Sequence, residues 1–366
     1  MDLAILASVS MAMALAIMDG LNNAANAISW AIGGGVVTLR KALIIASVFE
    51  IIGSIAFGLY IADTISHKLI VDLESLRSIN IALHIYASSI VWSILASIVR
   101  VPISFSMAII GSIIGSTTAY GEGIIDWGAA LHIFTGWLIA FIISIVLTVL
   151  FLKLSDRFGK RCNANAFLGG LFTVLIITIL ISRQFSINSI AIPIAIFFIL
   201  YMGFLSAYKH YGNGQTLVSL TLLAMMHGAN DSALIASILS LYLHSSSIDI
   251  YTPIIISSLG IAVGILLWGH RIADVFASNI SFLDVRHVNM MYISEFVTVA
   301  LLLKIGLPTP ISLVTIGAFI GFGLYRGISN IRIGYATKSV LITLVSTPAC
   351  MALSYTITAL AKNLIS

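Results

Sequence analysis

Gly20-Leu21-Asn22-Asn23-Ala24-Ala25-Asn26 returns, altered, as Gly228-Ala229-Asn230-Asp231-Ser232-Ala233-Leu234, 208 residues later. A second pair keeps almost the same interval. Arg100-Val101-Pro102-Ile103-Ser104-Phe105-Ser106 is echoed by Gly306-Leu307-Pro308-Thr309-Pro310-Ile311-Ser312, with Pro308 lying 206 residues after Pro102. Two matches in the same order at nearly one offset define an internal duplication. Paired Gly/Pro-interrupted segments in two halves of an apolar chain point to the binding site of a secondary transporter.

The surrounding sequence is that of a membrane protein. Of 366 residues, 18 are Lys or Arg and 14 are Asp or Glu, so 9% are charged, where a soluble domain carries about a quarter. Hydrophobic residues make up 60%, more than one globular core uses and far more than a disordered chain contains. The net charge of +4 is small and scattered, which excludes a nucleic-acid partner and fits basic loops facing an anionic leaflet. Cys162 and Cys350 form neither a metal spacing nor a disulfide framework. Met1-Asp2 opens without a basic stretch, so no cleaved signal peptide is expected.

Apolar runs of roughly spanning length cover 3–18, 42–62, 81–99, 128–152, 164–182, 184–208, 215–227, 250–269, 287–305 and 339–361. Two more, 103–119 and 309–325, follow prolines and are rich in Gly and Ser, as re-entrant or broken helices are. None alternates polar with apolar residues, which excludes a barrel. The expected fold is an all-α polytopic inverted-repeat transporter with two re-entrant hairpins and about ten to twelve membrane segments. Repeat one takes 1–152, a basic loop and connector helices take 153–210, and repeat two takes 211–366. The loop Lys153–Arg161 holds four basic residues against one acid and is placed in the cytoplasm.

The polar residues in these runs suggest chemistry. Asn22, Asn23 and Asn26 are read as closing one helix and starting another turn, and three-to-four spacing puts Asn22 or Asn23 on one face with Asn26. An Asn amide offers oxygen to a cation or N–H to an oxyanion. The Pro-Ile-Ser-x-Ser and Pro-Thr-Pro-Ile-Ser stretches put hydroxyls into a first helical turn, beside free N–H groups and a positive dipole end. The plainer alternative is that these small polar residues are caps and interhelical bonds. Glu50 and Glu295 lie mid-span, where a carboxylate must be paired, protonated or wet. Asp231 sits in the repeat itself. His227 reads as a proton carrier or a structural hydrogen-bonder, and Asp19 as a site or interfacial residue. Neither a Ser/His/Asp arrangement nor HExxH nor a phosphate-binding GxxxxGK[ST] is present, so no enzyme is expected.

These motifs resemble the PiT family of inorganic phosphate transporters, whose twin signature is Gly-Ala-Asn-Asp-Val-Ala-Asn-Ala. His227 to Asp231 match the opening of the second copy, and Gly20 to Ala27 followed by Gly33-Gly34-Gly35-Val36-Val37-Thr38-Leu39-Arg40 match the first. Phe49-Glu50 with Gly53-Ser54, Val91-Trp92 through Arg100, Trp268-Gly269-His270-Arg271, Ile293 to Glu295 and Thr347-Pro348 follow in family order. The likeness covers the chain outside about 153–210. This chain departs from the pattern at Asn23, where the family has Asp, at Leu234, where it has Asn, and at Met107 and Leu313, where it has His.

The resemblance implies symport of phosphate with Na⁺ or H⁺ and no other cofactor, in a multi-pass protein of the plasma membrane, and it admits a homo-oligomer. Asn22, Asn230, Ser104, Ser106 and Ser312 are the expected anion ligands. Asn23, Asn26, Asp231, Glu50 and Glu295 are expected in the cation layer, with Na⁺ at Asn23 and Asp231. With Asn23 in place of an acid, the motif pair carries −1 instead of −2, so fewer sodium ions, or protons, are expected to be coupled. A sulfate permease of the same fold, and a non-transporting scaffold or receptor, are the rival readings.

Overall fold

The computed structural model describes residues 3–70, 79–99, 103–121, 125–158, 211–243, 249, 251–271 and 284–365. The sequence-read spans 164–182 and 184–208, and with them most of the expected connector, lie outside these residues. Within them the chain is almost wholly helical. The first half forms α1 (Leu3–Gly33), α2 (Leu39–Phe57), the short α3 (Leu59–Thr64), α4 (Ile79–Val99), α5 (Phe105–Tyr120) and α6 (Trp127–Phe158). The second forms α7 (Tyr211–Leu243), α8 (Tyr251–Trp268), α9 (Val285–Lys304), α10 (Ile311–Arg326) and α11 (Ile333–Ile365).

The helices of one half find their partners in the other. α2 lies along α7 and α8 along α1; α5 lies along α11 and α10 along α6. The pairs α1·α4 and α7·α9 correspond in the same way, as do α4·α11 and α9·α6. Exchanging the halves maps each of these contacts onto another, as two-fold-related repeats require. The fold is an inverted-repeat, polytopic membrane protein.

Glycines set these crossings, again in pairs. A Cβ on Gly20 would lie 2.0 Å from the Ile261 carbonyl oxygen, and one on Gly228 2.0 Å from that of Glu50. Gly53 and Gly264 sit equally tight against Met225 and Ile17. Farther along, Gly111 and Gly115 seat α5 on α11, while Gly317 and Gly321 seat α10 on α6. Small residues four apart let helix backbones approach where lipid supplies no hydrophobic drive between helices.

The outside is apolar. Ile44, Val48, Ile52 and Ile55 expose one stripe of α2, and Leu138, Ile142 and Val146 one stripe of α6. Among the described residues, five helices, including α6, α8 and α11, are long and apolar enough to cross a bilayer. The interior instead holds Asn, Asp, Glu, Ser and Thr.

One expectation is corrected here. The Asn22–Asn26 segment does not end a helix: α1 runs unbroken to Gly33, and α7 runs through Gly228–Asp231 to Leu243. Polar side chains paired with neighbouring helices lower the local hydropathy without breaking the backbone ladder. The interruptions lie instead before α5 and α10.

Candidate functional site

α5 and α10 both begin deep inside the protein. Ser104 caps α5, its side chain accepting a hydrogen bond from the Met107 N–H, and Pro310 occupies the cap position of α10. The first N–H groups of each helix have no carbonyl four residues back to bond. Two positive helix ends therefore converge on the interior.

The two tips clasp each other symmetrically. Ser106 Oγ donates to the Thr309 carbonyl at 2.8 Å, and Ser312 Oγ donates to the Ile103 carbonyl at 2.6 Å. Each clasp is held by an amide from a motif helix. Asn26 Nδ2 donates to Ser312 Oγ at 2.8 Å, and Asn230 Nδ2 to Ser106 Oγ at 2.9 Å. Asn230 also grips the Thr309 peptide at both ends, accepting from its N–H at 2.7 Å and facing its carbonyl at 2.9 Å. With Asp231 Oδ1 2.6 Å away, the Asn230 NH₂ has three acceptors and only two protons. One of the two protons must therefore be shared between two acceptors.

Beneath the tips lies a charged layer. Asn23 Nδ2 donates to Asp231 Oδ2 at 3.0 Å across the repeat interface and to Asp19 Oδ1 at 2.6 Å within α1. Its carbonyl oxygen accepts from Asn26 Nδ2 at 3.1 Å. His227 Nδ1 lies 3.2 Å from Glu50 Oε1 and 3.8 Å from Asp231 Oδ2. The Glu50 and His227 groups are near but not aligned for a hydrogen bond, and both Glu50 oxygens lack a donor. Asp19, Asn23, Asn26, Glu50, His227, Asn230 and Asp231 are all buried. Buried charge this dense is sustained only by protons or by a bound cation.

The structure thus brings together Asn23, Asn26, Asn230, Asp231, Ser106 and Ser312, with Ser104 at the cap and Glu50 beside His227. Asn22 is turned elsewhere, its Nδ2 donating to the Met18 carbonyl and its Oδ1 accepting from Ser97 of α4. Glu295 is held at both oxygens, by Trp30 Nε1 at 2.6 Å and Thr315 Oγ1 at 2.9 Å, so it ties α9 to α1 and α10. Sequence reasoning missed Thr309, whose main chain carries no side-chain signal. It left Asp19 open between a site residue and an interfacial one, and the structure buries it fully beside the site. Its spacing of four before Asn23 places both on one helical face, which was the available signal. Among the described residues, no group of three His, Cys, Asp or Glu side chains has the geometry of a metal site.

Three comparisons bear on this arrangement. The model of a family described as the phosphate transporter family matches residues 19–354. Among curated proteins, a "putative phosphate permease" of Pyrococcus furiosus is 25% identical, the match covering 95% of this chain and 94% of that one. A protein so described from Thermococcus kodakarensis is 26% identical over 97% of each chain. A solved structure described as the sodium-dependent phosphate transporter superposes with a TM-score of 0.87 over 99% of both chains, at 21% identity, a likeness of fold.

Proposed function

The chain belongs to the phosphate transporter family, and from that premise we propose that it is a cation-coupled symporter of inorganic phosphate in the plasma membrane. The observation that carries this reading is the pair of opposed helix starts clasped through Ser106, Ser312, Asn26 and Asn230. A tetrahedral oxyanion entering between the tips would take the first-turn N–H groups of α5 and α10, together with the hydroxyls and the Asn230 amide. It would replace the Thr309 and Ile103 carbonyls as the acceptor of those hydroxyls. Ser104 orients the start of α5 as its cap. Asn22, bonded to Ser97, acts in this scheme by positioning α1 against α4.

The coupling cation, Na⁺ or H⁺, belongs in the layer of Asn23, Asn26, Asp231 and Glu50, one step from the anion seat. The fit is chemical. Glu50 Oε1 and Oε2 and Asn26 Oδ1 are buried oxygens with no hydrogen-bond donor among the described residues, His227 Nδ1 standing 3.2 Å from Glu50 Oε1, and sodium takes oxygen ligands. Placing a cation directly below the anion seat makes each attract the other in a low-dielectric interior, so that neither travels well alone. Glu295 supports this layer by fixing α9 and α10. In this scheme repeat one is 1–152, the connector 153–210 with its basic loop cytoplasmic, and repeat two 211–366.

Uptake of labelled phosphate and of labelled sulfate into proteoliposomes tests the proposal, with a sodium gradient or a pH gradient imposed separately. Phosphate accumulation driven by either gradient is expected. Sulfate accumulation in its place would assign the other oxyanion, and no accumulation of either would leave a non-transporting membrane protein.

A further inference from the structure

The duplication carries a displaced charge. At the offset of the first motif pair, Asn23 corresponds to Asp231 and Asp19 corresponds to His227. In each copy these residues are four apart and share a helical face. The second repeat thus reads His then Asp, and the first reads Asp then Asn. The acid of the first repeat stands one helical turn before the acid of the second, and each repeat holds one motif-helix acid.

The geometry shows where that acid went. Asp19 is completely buried, and its Oδ1 accepts from Asn23 Nδ2 at 2.6 Å. The second proton of the same amide goes to Asp231 Oδ2 at 3.0 Å. Asn23 is therefore a bridge whose two protons each face a carboxylate. Asp19 Oδ2 has no hydrogen-bond donor, and neither does either oxygen of Glu50 or the Asn26 Oδ1. A carboxylate kept only to orient Asn23 would leave its second oxygen buried against nothing, and an Asn or Ser would do that work at less desolvation cost.

We propose that Asp19 is the first repeat's cation-binding carboxylate, relocated by one turn, and that Asp19 and Asp231 together hold one small monovalent cation alongside the Asn23 bridge. The charge lost from the motif at Asn23 is thereby restored within the same layer. The ionisable groups facing it are Asp231 and His227 from α7, Glu50 from α2 and, beyond His227, Glu295 from α9. α8 and α10 carry no ionisable side chain between their ends, and the His84 and Tyr86 of α4 lie in its opening half, away from Ser97. The ion is Na⁺ or H⁺, two forms of the same positive ligand for paired carboxylates.

This inference rests on the proposed symport, and its test separates the two. Purified wild type, D19N, N23D and the swap D19N/N23D are first compared without phosphate, by thermal stability against Na⁺ at fixed pH and against pH at fixed Na⁺. Wild type should be stabilised by one of the two cations, which identifies it. D19N should need roughly tenfold more of it or more. The swap, which returns the acid to the motif position, should recover to within about threefold of wild type, because the same charge then sits on the neighbouring turn. N23D alone should not gain affinity, because it sets three acids in a row. Phosphate uptake then reads coupling: D19N should need about tenfold more cation for half-maximal uptake, while its phosphate KM at saturating cation stays near wild type. If wild type moves no phosphate yet D19N loses cation stabilisation, the symport reading falls and the Asp19 assignment stands. If D19N does not fold, the swap decides alone, and a folded swap without cation response overturns the proposal. So does a wild-type cation response in D19N, or none in wild type.

Discussion

Trp30 and Glu295, 265 residues apart in sequence, meet at 2.6 Å inside the protein, indole N–H to carboxylate oxygen. The other oxygen of Glu295 is taken by Thr315. The acid thus closes a bond between the motif helix α1 and the re-entrant helix α10, and Trp30 also stacks on Phe319 of α10. E295A would strand the Trp30 N–H in the interior, at a cost of about 1–3 kcal/mol. E295Q should keep an acceptor for the indole and stay close to wild type in thermal midpoint and in cation dependence. A loss of cation dependence in E295Q would move Glu295 from the supporting frame into the cation layer.

N230A removes the amide that grips both ends of the Thr309 peptide. The expected outcome is a folded protein with phosphate KM raised about tenfold or more, since hydrogen bonds to a charged group are worth about 1.5–3 kcal/mol. Concentration-dependent uptake measures it. Unchanged phosphate affinity would take Asn230 out of the anion seat.

H227Q should flatten the pH response. His227 faces Glu50, Asp231 and Glu295. A proton gained there as pH falls adds positive charge beside the cation, so the apparent sodium affinity of wild type should weaken on acidification. In H227Q that decline should be smaller, apart from phosphate's own titration. A steeper decline in H227Q would reverse the assigned sign.

G228A and G20A test packing separately from binding. Each new Cβ would fall 2.0 Å from a carbonyl oxygen of the crossing helix. Overpacking of this kind costs about 1–3 kcal/mol or more. Both variants should lose folded yield in size-exclusion chromatography; a folded variant with altered phosphate KM alone would tie these glycines to binding.

The two offsets near 207 were legible because the duplicated residues are chemically unusual for a membrane interior, and pairs such as Ser106–Thr309 and Ser312–Ile103 realise them directly. Helix continuity was not legible. Asn22, Asn23 and Asn26 lower the hydropathy of α1 by as much as a loop would, and only their partners on α4, α7 and α10 show that the backbone stays helical. The Gly228 of the signature reads as part of a binding motif, yet its contact is the backbone of α2 at Glu50. Asp19 stayed undecided between site and interface because a single acid gains meaning only from its neighbours. Which oxygen lacks a donor is a property of three helices together, written in none of them.

The exchange of partners between halves bears on how the chain is made. When α1 and α2 have just been synthesised, the surfaces that bury them, α8 and α7, still lie more than 150 residues ahead in the chain. Asp19, Asn23, Asn26 and Glu50 must therefore enter the bilayer before Asp231, Ser312 or His227 exists to meet them. The site cannot be complete until the chain has reached Thr309 and Ser312 at the start of α10.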